Sequence, residues 1–297
     1  MRSNNALVIP TLGNFNLLEN LSKYINMQTY DDFNIVFVVG TGVDLSMFKE
    51  KMVRVLNRSY TTIVQNEDRI IGAMNTILGL NFKVIALTDD DAKPSPSYVA
   101  NAIHFLESND NAGMVFGKVN GIFPDSKKLK LLRVINTSIS RKSLFGINPY
   151  RHFNAGGLIS GGFIPVQHRV MEDYSPIGVC MAWRQDMIGN FRLESKIRHG
   201  ILYESYISAA LWKKGLNTYF SPELYVNHIE RESLSRKKNV SNEILEEIYY
   251  SPHILYEMGF DIDIKILHRF VLLTKLLPKD IKSAVNHSLI DFINNYY

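Results

Sequence analysis

The chain has 297 residues, of which 46% are hydrophobic, so it can bury a large core. Its 33 lysines and arginines exceed its 29 acidic residues only slightly, and they are scattered along the chain, which argues against a dedicated nucleic-acid binder. The single cysteine, Cys180, excludes an intramolecular disulfide and a cysteine-rich metal cage.

The sequence shows no targeting or membrane-spanning pattern. Its opening residues, MRSNNALVIPTLG, lack the long apolar run and the cleavage site of a signal peptide. No stretch approaches the ~18 unbroken apolar residues of a transmembrane helix. We therefore expect a cytoplasmic protein, and peripheral attachment to the inner face of a membrane is the alternative.

The first 120 residues alternate short apolar runs with segments of helical period. Apolar strands that alternate with helices are typical of an α/β fold with a mostly parallel sheet covered on both faces. Such sheets bind ligands where their strands end. Strands are predicted at residues 6–10, 34–40, 61–66 and 83–90, and helices near residues 17–25, 47–56 and 68–80.

Three consecutive aspartates, Asp89, Asp90 and Asp91, follow the fourth predicted strand in the segment VIALTDDDAKP. Adjacent like charges repel one another and resist burial unless water surrounds them or a cation neutralises them. A solvated turn before the next helix is one interpretation. A site for Mg²⁺ or Mn²⁺ is the other, because both ions prefer carboxylate oxygens. The position after a buried parallel strand favours the metal site.

The second half of the chain begins with a predicted helix at residues 96–107 and a strand at residues 112–119. Residues 120–175 show no sustained period and include GINPYRHFNAGGLISGG, which lacks the Gly-Lys-Ser/Thr ending of a phosphate loop. We interpret that stretch as a mobile lid over substrate. A strand (GVCMAW), a helix (YESYISAALWKKG) and a strand (NTYFSPELYVNH) follow, and helices are predicted from residue 241 onward.

Four blocks resemble glycosyltransferase family 2 in order and spacing over about residues 5–230. They are LVIPTLGN, ALTDDDAKPSPSYV, PIGVCMAWRQDMIGNF and YESYISAALWKKGLNTYFSPELYVNH. The resemblance implies a GT-A domain over residues 1–235, with a Rossmann-like sheet, a nucleotide-binding half near 1–119 and an acceptor half near 120–235. Residues 236–297 would then form a helical C-terminal extension.

The resemblance also implies the activity and its site residues. The protein would be a metal-dependent, inverting glycosyltransferase that uses Mn²⁺ or Mg²⁺, a UDP- or GDP-sugar donor and a hydroxyl acceptor. Asp91 would bind the metal directly, Asp89 would contact the ribose or a metal-bound water, and His228 would contact the metal or the diphosphate. Glu204 would be the general base. The nucleotide pocket would include Asp90, Pro10, Thr11, Asp68, Arg69 and Asn75. Trp183 and Arg184 would form part of the acceptor platform, and Arg184 would also contact the donor.

The same residues have ordinary structural interpretations. Pro10 and Thr11 could end a strand, Asp68 could cap a helix, and His228 could simply follow a strand. Glu204 could be a helix-stabilising acid in the first turn of a helix. If Glu204 is not the base, Asp173 and Asp186 are the next candidates.

The chain departs from the family pattern at two places. Gly40-Thr41-Gly42 stands where acidic residues usually end the second strand, and Glu204-Ser205 stands in place of a Glu-Asp pair. Two other functions therefore stay open. One is a sugar-phosphate nucleotidylyltransferase, although LVIPTLGNFN lacks the expected glycine-rich basic loop. The other is a non-catalytic binding protein that kept the fold.

The tail segment DIDIKILHRFVLLTKLLPKDIK has two interpretations. It could pack against the core, or it could lie on anionic lipid as an interfacial helix. Ile262, Ile266, Phe270, Leu273 and Leu277 are predicted on one face, and Lys265, Arg269, Lys275 and Lys279 supply charge elsewhere.

Overall fold

The computed structural model of the protein describes residues 4–120, 131, 134–136, 138, 139, 143–145, 152–159, 169–172, 176–228, 242–275 and 279–296. The chain divides into two compact units. The sheet unit comprises Met1–Ile122, Val166–Ser195 and Tyr203–Glu230, and the helical unit comprises Phe123–Pro165, Lys196–Leu202 and Arg231–Tyr297.

The sheet unit is built on one sheet, to which nine strands of the described residues contribute. The strands lie in the order β3-β2-β1-β4-β8-β6-β9-β5, and β7 pairs with β9. The strands are β1 (Asn5–Thr11), β2 (Asn34–Val39), β3 (Tyr60–Val64), β4 (Val84–Leu87), β5 (Ala92–Pro94), β6 (Ala112–Asn120), β7 (Met171–Glu172), β8 (Met181–Arg184) and β9 (Asn217–His228).

Helices cover both faces of this sheet. Leu7 and Ile9 of β1 belong to a core cluster that includes Leu18 and Phe48 from two of the helices. The alternate residues Ala6 and Val8 are buried as well. Because side chains alternate between the faces of a strand, neither face of β1 is open to water. The helices are α1 (Phe15–Asn26), α2 (Leu45–Val55), α3 (Arg69–Leu78), α4 (Tyr98–Ser108), α5 (Gln185–Ile188) and α6 (Tyr203–Trp212).

The predicted α/β class is confirmed, and the sheet is mixed in direction. Strands β3, β2, β1 and β4 are parallel neighbours, as predicted, and β6 runs parallel to β9. Strand β8 is antiparallel to both β4 and β6, and β5 is antiparallel to β9. The predicted strand GVCMAW is shorter than expected, because Gly178–Cys180 forms a 3₁₀ turn before β8.

The helical unit includes the helices α7 (Asn242–Tyr249), α8 (Ser251–Glu257), α9 (Ile264–Thr274) and α10 (Lys279–Tyr296). Phe270 of α9 stacks on Tyr249 of α7, with ring centroids 5.3 Å apart. Ile262, Ile266 and Phe270 are buried, as the core-packing interpretation predicts. Leu273 departs from the core-packing interpretation, because its side chain is 38% exposed, and Leu277 lies outside the described residues.

None of the helices in the described ranges has the length and apolar character needed to cross a membrane.

Candidate active site

The carboxyl ends of the parallel strands meet at one edge of the sheet. The backbone N–H of Gly40 donates to the carbonyl of Thr11 at 2.9 Å, and the N–H of Gln65 donates to the carbonyl of Val39 at 2.9 Å. These bonds join the loops that follow β1, β2 and β3 at this edge. Side chains in those loops therefore face a common region, as expected for a parallel sheet.

The acidic turn Asp89–Asp91 follows β4 at the same edge. Strand β5 begins directly after the turn and pairs with β9, so that Ala92 lies opposite His228. This pairing places the imidazole Nε2 of His228 3.2 Å from the carboxylate Oδ1 of Asp91. Possible ligand atoms of Asp89, Asp91 and His228 all lie within 4.8 Å of one another. The three predicted metal-site residues are thus brought together.

Asp90 faces the end of β1. The hydroxyl of Thr11 donates to the carboxylate Oδ2 of Asp90 at 2.6 Å, and the backbone N–H of Gly13 donates to the Thr11 hydroxyl at 3.0 Å. Thr11 is buried, and Pro10 before it is partly exposed. The hydrogen bonds hold the first loop of the sheet against the acidic turn.

The acidic turn concentrates negative charge in a poorly solvated place. Burial raises the pKa of Asp89 to about 7, the Asp91 charge adds to the rise, and nearby His228 opposes it. Desolvation and a like charge both disfavour the carboxylate. A bound cation would reverse the second effect, and two carboxylates with an imidazole are a suitable ligand set for Mn²⁺.

Glu204 lies in the first turn of α6 and is partly buried. Burial raises the pKa of its carboxyl to about 7, the charge of Asp89 adds to the rise, and a hydrogen bond from the backbone N–H of Glu204 itself opposes it. A carboxyl that titrates near neutral pH is suited to accept a proton at that pH.

Close packing next to Glu204 fixes the start of α6. A Cβ atom on Gly178 would lie 2.0 Å from the hydroxyl oxygen of Tyr203, so only glycine leaves room for this ring. Leu202, the residue before α6, has a φ of 68°. A bulky residue in the left-handed region is strained, and such strain is often found at functional sites.

Asp68 and Arg69 stand beside the loop that follows β2. The hydroxyl of Thr41 donates to the carboxylate Oδ1 of Asp68 in a short hydrogen bond. Asp68 occupies the N-cap position of α3, but its side chain makes no capping hydrogen bond. Arg69 begins α3 with a φ of 74°, and its side chain is exposed. The Asp68 carboxylate is therefore held by Thr41 rather than by the helix.

Several solved glycosyltransferase structures share this architecture. Mannosyltransferase PcManGT from Pyrobaculum calidifontis is 13% identical with a TM-score of 0.53, and the match covers 100% of this chain and 77% of that chain. S. aureus TarS 1–349 is 13% identical with a TM-score of 0.58, and the match covers 98% of this chain and 80% of that chain. GalNAc-T7 is 10% identical with a TM-score of 0.54, and the match covers 98% of this chain and 57% of that chain.

The chain has the GT-A fold. No protein-family model and no curated protein matches the sequence. The likeness to these structures, at 10–13% identity, establishes the fold. The fold predicted from the four sequence blocks is confirmed.

Within the GT-A fold, Arg184 lies away from the acidic turn. It ends β8 opposite Val84, which begins β4, so it is at the amino end of the strand that Asp89 follows. Its guanidinium donates to three backbone carbonyls, those of Leu106 (2.6 Å), Asn109 (3.2 Å) and Ala112 (2.9 Å). The role predicted for Arg184 stays a prediction, and in the structure its guanidinium binds these backbone carbonyls. Trp183 is completely buried.

Two further residues predicted for the site, Asn75 and Asp186, make their hydrogen bonds to backbone groups outside the acidic turn. The side-chain amide of Asn75 donates to the carbonyl of Leu193 at 3.1 Å and accepts from its N–H at 2.8 Å, so it anchors that loop to α3. Asp186 is exposed, and its backbone N–H lies 3.4 Å from the carbonyl of Lys83 at the amino end of β4. It is therefore poorly placed to replace Glu204 as a base.

Asp173 lies outside the described residues, as does most of the predicted lid. Residues 152–159 of that stretch are described and belong to the helical unit. The lid interpretation stays a prediction. The Thr41–Asp68 hydrogen bond was not predicted from the sequence, although the hydroxyl group of Thr41, two residues after the end of β2, could have indicated it.

Proposed function

We propose that the protein is a metal-dependent glycosyltransferase that moves a sugar from a UDP- or GDP-sugar to a hydroxyl group of a glycan, a lipid-linked sugar or a small molecule. The cluster of Asp89, Asp91 and His228 at the carboxyl edge of the GT-A sheet carries this proposal. It puts oxygen and nitrogen ligands at the edge where open α/β sheets bind ligands.

The structural neighbours support the same donor class. PcManGT was solved in complex with GDP-Man and Mn²⁺, and GalNAc-T7 with UDP, GalNAc and Mn²⁺. TarS was solved in complex with UDP-GlcNAc. All three were solved with a nucleotide or a nucleotide sugar, and two of them with Mn²⁺.

The acidic turn fits a divalent cation. We assign Asp91 and His228 as direct ligands and Asp89 as a ligand or as a contact to a bound water or the ribose. Burial, together with the charge of Asp91, raises the pKa of Asp89, and a bound cation would favour the charged form of this carboxyl. When bound, Mn²⁺ or Mg²⁺ would stabilise the negative charge that develops on the departing diphosphate.

The loops after β1, β2 and β3 would hold the nucleotide. Gly40-Thr41-Gly42 offers no carboxylate after β2, but Thr41 holds the carboxylate of Asp68 beside this loop. We propose that Asp68 accepts hydrogen bonds from the nucleoside, and that Arg69, with its exposed guanidinium, contacts the diphosphate. Pro10 and Thr11 would form the wall of the pocket, and Asp90 would fix Thr11 there.

Glu204 would act as the general base. Its carboxylate takes the proton of the acceptor hydroxyl while that oxygen bonds to the anomeric carbon of the donor sugar. The bond between the anomeric carbon and the diphosphate oxygen breaks, and the electron pair leaves with the nucleoside diphosphate. A single displacement of this kind inverts the anomeric configuration.

Product analysis tests this function against its two rivals. Incubation with UDP- and GDP-sugars and Mn²⁺ should release UDP or GDP, and Asp91→Asn should stop the release, whereas Asp186→Asn should not. Release of pyrophosphate from a sugar phosphate and a nucleoside triphosphate would instead identify a nucleotidylyltransferase. Nucleotide binding without any turnover would identify a binding protein that kept the fold.

A further inference from the structure

Helix α9 of the helical unit has one buried face and one exposed face. Ile266, Leu267, Phe270 and Thr274 are buried. Successive helical residues are about 100° apart around the axis, so Leu272 points almost directly away from the centre of this buried face. Its side chain is 59% exposed, and that of its neighbour Leu273 is 38% exposed. Exposed leucines on a helix that already buries another face have no role in the core.

Basic side chains surround these leucines. Lys265, His268, Arg269 and Lys275 are exposed on α9 or directly after it. Helix α9 contains no acidic residue, since Asp261 and Asp263 both precede it. Within the described ranges no ion pair neutralises Lys265, Arg269 or Lys275. The face is therefore both apolar and uniformly positive.

Helix α2 shows that this combination is not general on the surface. Its Val53 is 70% exposed, but the adjacent Arg54 pairs with Glu50 on the same helix. Helix α2 also carries Lys49 and Lys51, but the acid Glu50 lies among its cations and pairs with Arg54. The face of α9 differs because no acidic residue lies within that helix and, among the described residues, no ion pair involves its cations.

We propose that the α9 face, defined as Lys265, His268, Arg269, Leu272, Leu273 and Lys275, docks the protein on an anionic lipid surface. The cations would contact lipid phosphates, and Leu272 with Leu273 would enter the region between headgroups and acyl chains. This docking is independent of the catalytic proposal, since none of these residues belongs to the candidate active site.

Vesicle co-sedimentation of the full chain, without donor or metal, tests the proposal. The protein should sediment with vesicles of phosphatidylcholine mixed with phosphatidylglycerol, and it should stay in solution with phosphatidylcholine alone. Lys265→Gln with Arg269→Gln should lower the partition coefficient roughly 30-fold, which corresponds to about 1 kcal/mol for each cation. Leu272→Asn should lower it about tenfold, because less apolar area is buried.

The matched control changes α2 in the same manner. Val53→Asn with Lys49→Gln removes an exposed apolar side chain and an exposed cation there, and vesicle binding should not change. Raising the salt concentration to ~1 M, where the Debye length is about 3 Å, should weaken binding of the wild-type chain.

Three outcomes would overturn the proposal. One is a wild-type chain that does not sediment with anionic vesicles, and another is equal binding by the wild type and the Lys265→Gln, Arg269→Gln variant. The third is self-association that Leu272→Asn abolishes without any lipid present, which would assign the face to a second copy of the chain. Circular dichroism of each variant would verify that it is folded.

Discussion

The imidazole of His228 lies 3.2 Å from the carboxylate of Asp91, although the two residues are far apart in the sequence. The pairing of β5 with β9 causes this proximity, because it sets Ala92, the residue after Asp91, opposite His228. The candidate metal site therefore depends on one short antiparallel contact as well as on the acidic turn.

The first prediction concerns this pair. UDP or GDP should raise the melting temperature of the wild-type chain only when Mn²⁺ or Mg²⁺ is present, since the protein ligands and the diphosphate are each incomplete ligand sets. Asp91→Asn should abolish this metal dependence, and His228→Asn should require at least about tenfold more Mn²⁺ for the same shift. A thermal-shift titration with each nucleotide and metal measures both effects.

Asp186→Asn is the matched control, because Asp186 is an exposed acid near the amino end of β4. It should behave as the wild type. Full metal-dependent stabilisation of the Asp91→Asn variant would show that the metal is bound elsewhere.

The second prediction concerns the pH dependence of transfer. The general base must be deprotonated, and burial raises the pKa of Glu204 to about 7. The rate at saturating donor and acceptor should therefore rise with pH through about 7 and reach a plateau above it. Glu204→Gln should lower the rate by ~10²–10⁴ and remove the rise.

Donor binding should survive that substitution, which separates Glu204 from Asp91. The Glu204→Gln variant should keep its Mn²⁺-dependent stabilisation by UDP or GDP. Glu223→Gln changes an exposed glutamate on β9 and should leave the rate and its pH profile unchanged. Wild-type transfer by Glu204→Gln would require another base.

The sequence predicts the acidic turn well but not the direction of every strand. Buried parallel strands have a strong apolar pattern, so the position of Asp89–Asp91 after β4 could be derived from residues alone. The pattern of β8 shows a strand without showing that it runs antiparallel to β4. That direction places Arg184 at the amino end of β4, where its guanidinium donates to backbone carbonyls.

Contacts between residues far apart in the chain were also difficult to predict from the sequence. His228 could be placed in the site only through the family resemblance, because the two-strand contact that brings it to Asp91 involves the three-residue strand β5. In α9, helical spacing grouped Leu273 with the buried residues, but it lies at the margin of that face, and packing leaves it exposed. Helical periodicity predicts which side of a helix is buried, and packing against neighbouring elements determines how wide that buried face is.

The third prediction concerns Gly178. An added Cβ would overlap the hydroxyl of Tyr203, so Gly178→Ala should displace the start of α6 and destabilise the protein by about 1–3 kcal/mol. Because Glu204 follows Tyr203, transfer should fall more than donor binding. Gly42→Ala is the control for stability, since an added Cβ there has no atom within 4 Å. An unchanged melting temperature of Gly178→Ala would contradict the packing described for Tyr203.

The fourth prediction uses His253 of α8. Its ring is buried, stacks on Tyr250 at 4.3 Å and contacts Phe292 edge-on at 4.9 Å. Burial lowers its pKa to about 4 from an ordinary value of 6.5, although Asp291 opposes the shift. The unfolded chain therefore binds a proton more readily than the folded chain. The stability from the neutral ring is complete above pH 6.5 and is lost as the pH falls from 6.5 towards 4.

Each pKa unit corresponds to about 1.4 kcal/mol, so lowering the pH from ~7.5 to ~5 should cost roughly 2 kcal/mol through His253 alone. His253→Phe keeps the aromatic packing and removes the titration, so its loss of stability between these pH values should be smaller than that of the wild type by this amount. Urea unfolding followed by circular dichroism at both pH values measures the difference. His287→Gln, which changes an exposed histidine of α10, should lose as much stability as the wild type. Equal losses in His253→Phe and the wild type would mean that His253 is not held neutral by burial.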